Sequence, residues 1–217
     1  MGLNESGHLT AGKRMETTKE LPWIIRGLLN SRPPKAIEEQ GASLKRAAVL
    51  IPLFNAGSEY KILFTKRTES VEAHKGQISF PGGRIEEEDG SPLETALREA
   101  DEEVGLSRKD VTILGQMDDA RTVSSNYIVH PFVGLIPHPY DFRTSAREVK
   151  ELLEVPFELF LSGDSAGESY PVVYEGTTYQ TLAYRYRGEV IWGATARMMQ
   201  SLVDLVKKKL DLPVENR

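Results

Sequence analysis

Apolar residues downstream of Lys45 come in short runs broken by turn residues, the pattern of strands rather than long helices. AAVLIPLF (47–54) and YKILFT (60–65) flank Asn55-Ala56-Gly57-Ser58 and predict a hairpin. QISF (77–80), VTILGQM (111–117) and YIVHPFVGLI (127–136) predict further strands, as do YPVVYEG (170–176) and TYQTLAYRYRG (178–188). Between them Leu93, Ala96, Leu97, Ala100 and Val104 recur at the spacing of one buried helical stripe. Ser91-Pro92-Leu93-Glu94 is a capping box with proline at the first helical position, and Gly105 stands where a left-handed C-terminal residue is wanted.

A second Ser-x-x-Glu signal, Ser145 to Glu148, predicts a short helix ended by Pro156. Met199, Leu202, Val203, Val206 and Leu210 predict a closing helix from about Ala194 to Leu210, whose Lys207-Lys208-Lys209 run suits the negative helix end. Leu21 to Asn30 predicts a short amphipathic helix, followed by the proline-containing linker SRPPKAIEEQGAS. Residues 1 to about 18 are polar and aperiodic, and no fixed structure is expected there. The expected class is α+β, a mixed sheet flanked by helices. The expected division is an N-terminal extension (1–44), one domain (45–210) and a C-terminal tail (211–217).

Composition narrows the chemistry. With 217 residues, 40% of them hydrophobic, the chain can bury one full core. It has no apolar run long enough to span a membrane, and the N-terminus lacks the apolar core of a secretory signal, so a cytoplasmic protein is expected. The absence of cysteine removes thiolate catalysis and cysteine-based zinc sites, and the four histidines are not at ligand spacing. Any metal must therefore sit on oxygen. A net charge of −5 argues against duplex nucleic acid as a partner.

Glu99, Glu102 and Glu103 share one flank of the predicted central helix, in its last two turns, where the dipole disfavours acids. Arg98, four residues from both Glu94 and Glu102, relieves part of the repulsion and leaves Glu99 and Glu103 uncompensated. Either this is a solvated acidic face, or a hard cation such as Mg²⁺ turns repulsion into ligation. Gly82-Gly83, between strand and helix, would let backbone approach a ligand closely.

Taken together, FPGGRIEEEDGSPLETALREADEEVGL resembles the box of the Nudix hydrolases. Arg98, Glu99, Ala100, Glu102, Glu103, Gly105 and Leu106 occupy every position of its second half. In the first half the loop from Gly83 is one residue longer than the general pattern, and the early glutamate falls at Gly90, with Glu88 and Asp89 nearby. LFTKRTESVEAHKGQISFPGG (63–83) is similar to the signature of coenzyme A-type members, which allows the longer loop. Thr65, Arg67, His74, Gly76 and Phe80 to Gly83 fit, whereas Thr68 replaces serine or alanine and Glu72 replaces arginine. HPFVG (130–134), EVKELLEVPFELFL (148–161) and IWGATARM (191–198) also look like that subfamily.

The resemblance implies an α/β/α sandwich that hydrolyses a nucleoside diphosphate linked to another group, on Mg²⁺ or Mn²⁺. Glu99, Glu103 and the Gly83 carbonyl would be metal ligands, Glu102 a ligand or water-activating base, and Arg98 would orient the glutamates. Glu148, with Glu151 second, is the candidate acid from outside the box. Arg67, His74, Lys75 and Gly82 are candidates for contact with the substrate. Coenzyme A or a derivative is the expected substrate; ADP-ribose, a dinucleotide or silent nucleotide binding are the alternatives. Gly163-Asp164-Ser165-Ala166-Gly167 also matches the nucleophile elbow of α/β-hydrolases, which requires a following helix and a later histidine, and no histidine follows His138.

Overall fold

A computed structural model of the chain describes residues 11–38, 44–69, 76–122, 126–162, 168–174 and 176–212. Its centre is β1 (Lys45–Asn55), whose run from Leu50 to Phe54 is buried on both faces. β7 (Tyr127–Leu135) lies parallel along one side of β1 from Lys45 to Leu53. The other side is shared. The second half of β1 pairs antiparallel with β2 (Tyr60–Arg67), and Ala47 to Val49 pair with β4 (Gly82–Arg84).

β1 and β2 therefore diverge from the hairpin end like a fork, and residues 78–84 fill the opening. β3 (Ile78–Ser79) pairs with Thr65 and Lys66 of β2, and the Leu50 amide donates to the Pro81 carbonyl at 2.9 Å. β5 (Thr112–Gln116) and β6 (Ala120–Arg121) extend the sheet antiparallel to β7. The result is a mixed sheet of eight strands.

Helices cover both faces. α2 (Pro92–Val104) packs Ala96, Leu97 and Ala100 against Ala48, Leu50 and Phe132 on one face. On the other, α1 (Ala11–Asn30) and α4 (Gly193–Lys209), with the short α3 (Phe157–Leu161), enclose a cluster containing Ile51, Phe64, Val133 and Met199. The sandwich expected from the sequence is thus present. β9 (Glu168–Tyr174), β10 (Thr177–Tyr186) and β11 (Glu189–Trp192) form a separate antiparallel sheet leading into α4. No described helix is long and apolar enough to cross a membrane.

The central helix follows its local signals. The Ser91 hydroxyl accepts from the Glu94 amide at 3.3 Å, and Gly105 adopts φ 68°. Its N–H donates to the Asp101 carbonyl at 2.8 Å, the bond of a left-handed helix end, and that of Leu106 donates to the Ala100 carbonyl at 3.2 Å.

The stretch before Pro156 departs from expectation: Val149–Pro156 is β8, antiparallel to β2, and not a helix. Ser145 to Glu148 forms only a turn, with the Glu148 and Val149 amides on the Ser145 carbonyl at 3.0 and 2.8 Å. Pairing with the open edge of β2 outweighs the local helix signal, because it buries Leu153 and Val155 in one core and Val149 in the other. Pro156 precedes α3 instead of ending a helix. β11, which the sequence reading did not separate, follows a turn in which Arg187 and Gly188 have φ 50° and 82°.

α1 starts at Ala11, inside the stretch expected to lack structure. Its Leu21, Ile25 and Leu29 lie within the sheet's core, with Ile25 fully buried. Ile25→Ala should lower stability by about 2–5 kcal/mol, as cavity-forming substitutions do. Urea unfolding reads this directly, and an unchanged midpoint would mean that α1 is dispensable to the fold.

Candidate active site

α2 carries Glu99 and Glu103 one turn apart, facing the fork. Glu103 is 3% exposed. Its Oε2 accepts the Gly82 N–H at 3.3 Å, and its Oε1 lies 3.5 Å from Arg67 Nη1 on β2. Burial pushes its carboxyl up to about 8; Arg67 opposes the shift, Glu99 adds to it, the Gly82 amide opposes it and Glu148 adds to it. Glu99 is also raised, first by burial and then by Glu102 and Glu148, against the pull of Arg98. Both carboxylates lack sufficient positive charge around them.

The glycines have steric reasons to be where they are. A Cβ on Gly83 would fall 2.2 Å from Glu99 Oε1, and one on Gly82 would fall 2.4 Å from the Ala48 carbonyl. Any side chain at either position would push the fork apart or displace the glutamate.

Arg98 organises the flank. Its Nε and Nη2 reach the two Asp89 oxygens at 2.9 and 3.0 Å, Nη1 reaches Glu99 at 3.0 Å and Glu102 at 3.1 Å, and Nη2 reaches the Arg84 carbonyl at 3.3 Å. Asp89 also accepts from Thr95 Oγ1 at 2.8 Å and from the Glu86 amide at 3.0 Å. The guanidinium holds that carboxyl well below the usual range. Of the acids near Gly90, Asp89 is therefore the one tied to the helix. Glu94 is not an Arg98 partner: it accepts from Arg108 at 3.1 Å and from the Gly90 amide at 3.0 Å.

Glu148 enters from the turn before β8, where its carbonyl accepts from the Thr68 amide at 2.9 Å, and its charge acts on both Glu99 and Glu103. Glu151 is opposite Lys66 in the β2–β8 register and acts on that ammonium. His74, Lys75 and Glu72 lie outside the described residues. Arg67 and Gly82 join the glutamates to a cleft of about 370 Å³ that continues past Phe80 to β10 and the start of α4. Arg67 Nε is buried there without a hydrogen-bond partner.

As the side chains stand, no three acid or imidazole groups among the described residues converge on one point. Arg98 draws Glu99 and Glu102 toward itself. The donor set nevertheless fits a hard cation: desolvated, mutually repelling carboxylates beside a glycine backbone with no room for a side chain. The nucleophile-elbow motif lies outside the described residues, and the chain leaves it in β9 instead of the helix an elbow needs. The sequence reading passed over Arg197, a cation beside the first turn of α4; the clue was its place at a helix end that disfavours positive charge.

A mixed sheet between helices, with a strand–glycine–loop–helix segment ending in a glutamate flank, defines a class, and the NUDIX domain model matches residues 44–172. The chain belongs to the Nudix family and is a Nudix hydrolase, an enzyme acting on nucleoside diphosphate derivatives. It is 34% identical over 175 residues to a protein of Photorhabdus laumondii, covering 81% of this chain and 90% of that one. It is 38% identical over 165 residues to a protein of Yersinia pestis, covering 76% and 81%. Both are named "Uncharacterized Nudix hydrolase NudL", which gives a class and no substrate. Among solved structures, a Nudix hydrolase from Alicyclobacillus acidocaldarius aligns with a TM-score of 0.48 at 15% identity, over 82% of this chain and all of that one.

The raised Glu103 carboxyl predicts a pH dependence. Its folded-state value of about 8 exceeds the ordinary 4.5, so the folded chain binds the extra proton and metal-free stability falls as pH rises between those values. In chelator, the Tm should drop from pH 5 to pH 8, and Glu103→Gln should flatten that slope and raise the pH 8 value by several degrees. Differential scanning calorimetry checks this; equal slopes in both proteins would refute the assignment.

Proposed function

We propose that this chain is a metal-dependent diphosphatase of coenzyme A or its derivatives, yielding 3′,5′-ADP and a 4′-phosphopantetheine product. The observation that carries the reaction is the desolvated pair Glu99 and Glu103, with Glu148 acting on both, beside the Gly82-Gly83 backbone. Glu99, Glu103, Glu102 and the Gly83 carbonyl would hold Mg²⁺ or Mn²⁺. Bound there, the ion would neutralise diphosphate charge and lower the pKa of a water.

The chain's own groups supply the rest. Arg98 fixes Glu99 and Glu102 in place, acting as a positioning residue. Glu102, with its side chain 60% exposed, or Glu148 can accept the proton of the attacking water. Arg67, with an unpartnered Nε, can meet a phosphate oxygen at the mouth of the cleft. Water oxygen bonds to one phosphorus as the bridging P–O bond breaks, and each half leaves as a phosphate monoester. The coenzyme A choice is supported by the signature from Leu63 to Gly83, whose Arg67, Phe80 and Gly82 line the same cleft.

Product analysis with coenzyme A, ADP-ribose and NADH, each with Mg²⁺ or Mn²⁺, tests this reading. 3′,5′-ADP should form from coenzyme A, and Glu103→Gln should lower kcat by about 10²-fold or more. Cleavage of another conjugate with coenzyme A intact would overturn the substrate; cleavage of none would favour a silent nucleotide-binding module. Arg98→Lys should cost about 10–100-fold in activity, since an ammonium cannot hold Asp89 bidentately while reaching Glu99 and Glu102.

A further inference from the structure

The far end of the cleft, away from the glutamates, has a chemistry of its own. α4 begins there: Gly193, Ala194, Thr195 and Arg197 line the wall, with Trp192 and Tyr179 beside them. The helix start has no side-chain cap and no acid in its first turn. Its first N–H groups and the positive end of its dipole are therefore met by no capping side chain and no first-turn acid. A Cβ built on Gly193 meets no atom within 4 Å, so the space in front of the helix end is open.

Two side chains point to a ligand independently of the helix end. Thr195 is 8% exposed, lines the cleft and has a hydroxyl without a hydrogen-bond partner among the described residues. Arg197 makes one bond, from Nη2 to the Arg121 carbonyl at 3.0 Å, and has no carboxylate partner among the described residues. Burial lowers its guanidinium from the ordinary value with no acid to offset it. A half-buried cation without an acid, a cleft-lining hydroxyl without a protein partner among the described residues and an uncapped helix start each leave polar groups that the protein does not answer. An anion placed among them would answer all three.

We propose that Arg197, the Thr195 hydroxyl and the N-terminus of α4 form a second anion subsite, which takes a phosphate monoester of the substrate apart from the diphosphate at the glutamates. The proposal rests on the nucleotide-conjugate hydrolase reading and narrows it to conjugates carrying an additional phosphate. Arg67 and Gly82 mark the diphosphate end of the same cleft, so one extended ligand can reach both. Arg197 and Thr195 are specificity residues on this account, with no part in bond breaking.

The test is calorimetric titration of the full chain with adenosine 3′,5′-bisphosphate and with AMP, neither of which contains a diphosphate to cleave. The wild type should prefer the bisphosphate by about tenfold or more. Arg197→Gln should erase that preference, Arg197→Lys should restore part of it, and Thr195→Val should reduce it severalfold. Should Arg197→Gln fail to fold, the lysine and valine variants carry the test. Equal wild-type affinity for the two nucleotides, or an equal loss of both in Arg197→Gln, would overturn the subsite. A bisphosphate preference that depends on Arg197 upholds it even if coenzyme A resists cleavage, and then only the substrate reading fails. Coenzyme A cleavage without any bisphosphate preference retains the hydrolase reading and removes the subsite.

Discussion

The guanidinium of Arg98 is the contact on which the site's geometry depends. The helix it belongs to places three acids on one flank near its negative end, an arrangement with self-repulsion and an unfavourable dipole. Arg98 answers both by holding Glu99 and Glu102, while its bidentate grip on the 6%-exposed Asp89 side chain ties the loop after β4 down onto α2. With that loop fixed, the Gly83 backbone stays against the Glu99 carboxylate. The planar fork of arginine serves four partners at once, which a lysine ammonium cannot match in direction.

The sheet supplies the second constraint. β1 keeps β7 along one side for nine residue pairs but divides its other side between β2 and β4. Residues 78–84 enter the gap and turn through two glycines that tolerate contact with Ala48 and Glu99. Without the fork, Glu103 would face a continuous sheet. With it, Glu103 reaches the Gly82 amide, Gly82 in turn lines the cleft, and the Lys66–Glu189 pair at 2.5 Å joins the main sheet to the smaller one.

What the sequence disclosed divides by range. α2 was legible to its last residue because both caps and the apolar stripe are local, and the glutamate flank follows from helical spacing alone. Asp89 was not separable from Glu88, since only the fold shows which acid of the loop meets Arg98. The turn at Ser145 carried a helix signal, yet the next residues pair with β2, a partner some eighty positions upstream that no local pattern reveals. Thr195 was invisible for the same reason, and Arg197 left only its charge at the helix start as a clue: their place in the cleft depends on α4 docking beside the smaller sheet. His74 and Lys75 lie outside the described residues, so their assignment still rests on the signature alone.

The electrostatics of the cleft have a direction. At its inner end, acids outnumber the cations that reach them, and Arg67 touches Glu103 only at 3.5 Å, long for a charge-assisted bond. A proton or a cation on Glu103 would satisfy that carboxylate, and the weak Arg67 contact would then be given up at little cost. Arg67 is thereby available to the cleft, where its buried Nε already lacks a partner. At the outer end the balance reverses, with Arg197 and an uncapped helix start and no acid among the described residues that line it. A polyanion held between the glutamates, carrying the proposed cation, and the proposed anion subsite at Arg197 would have one favourable orientation. On the proposed reading the cleft would set which phosphates meet the glutamates, as well as how tightly they bind.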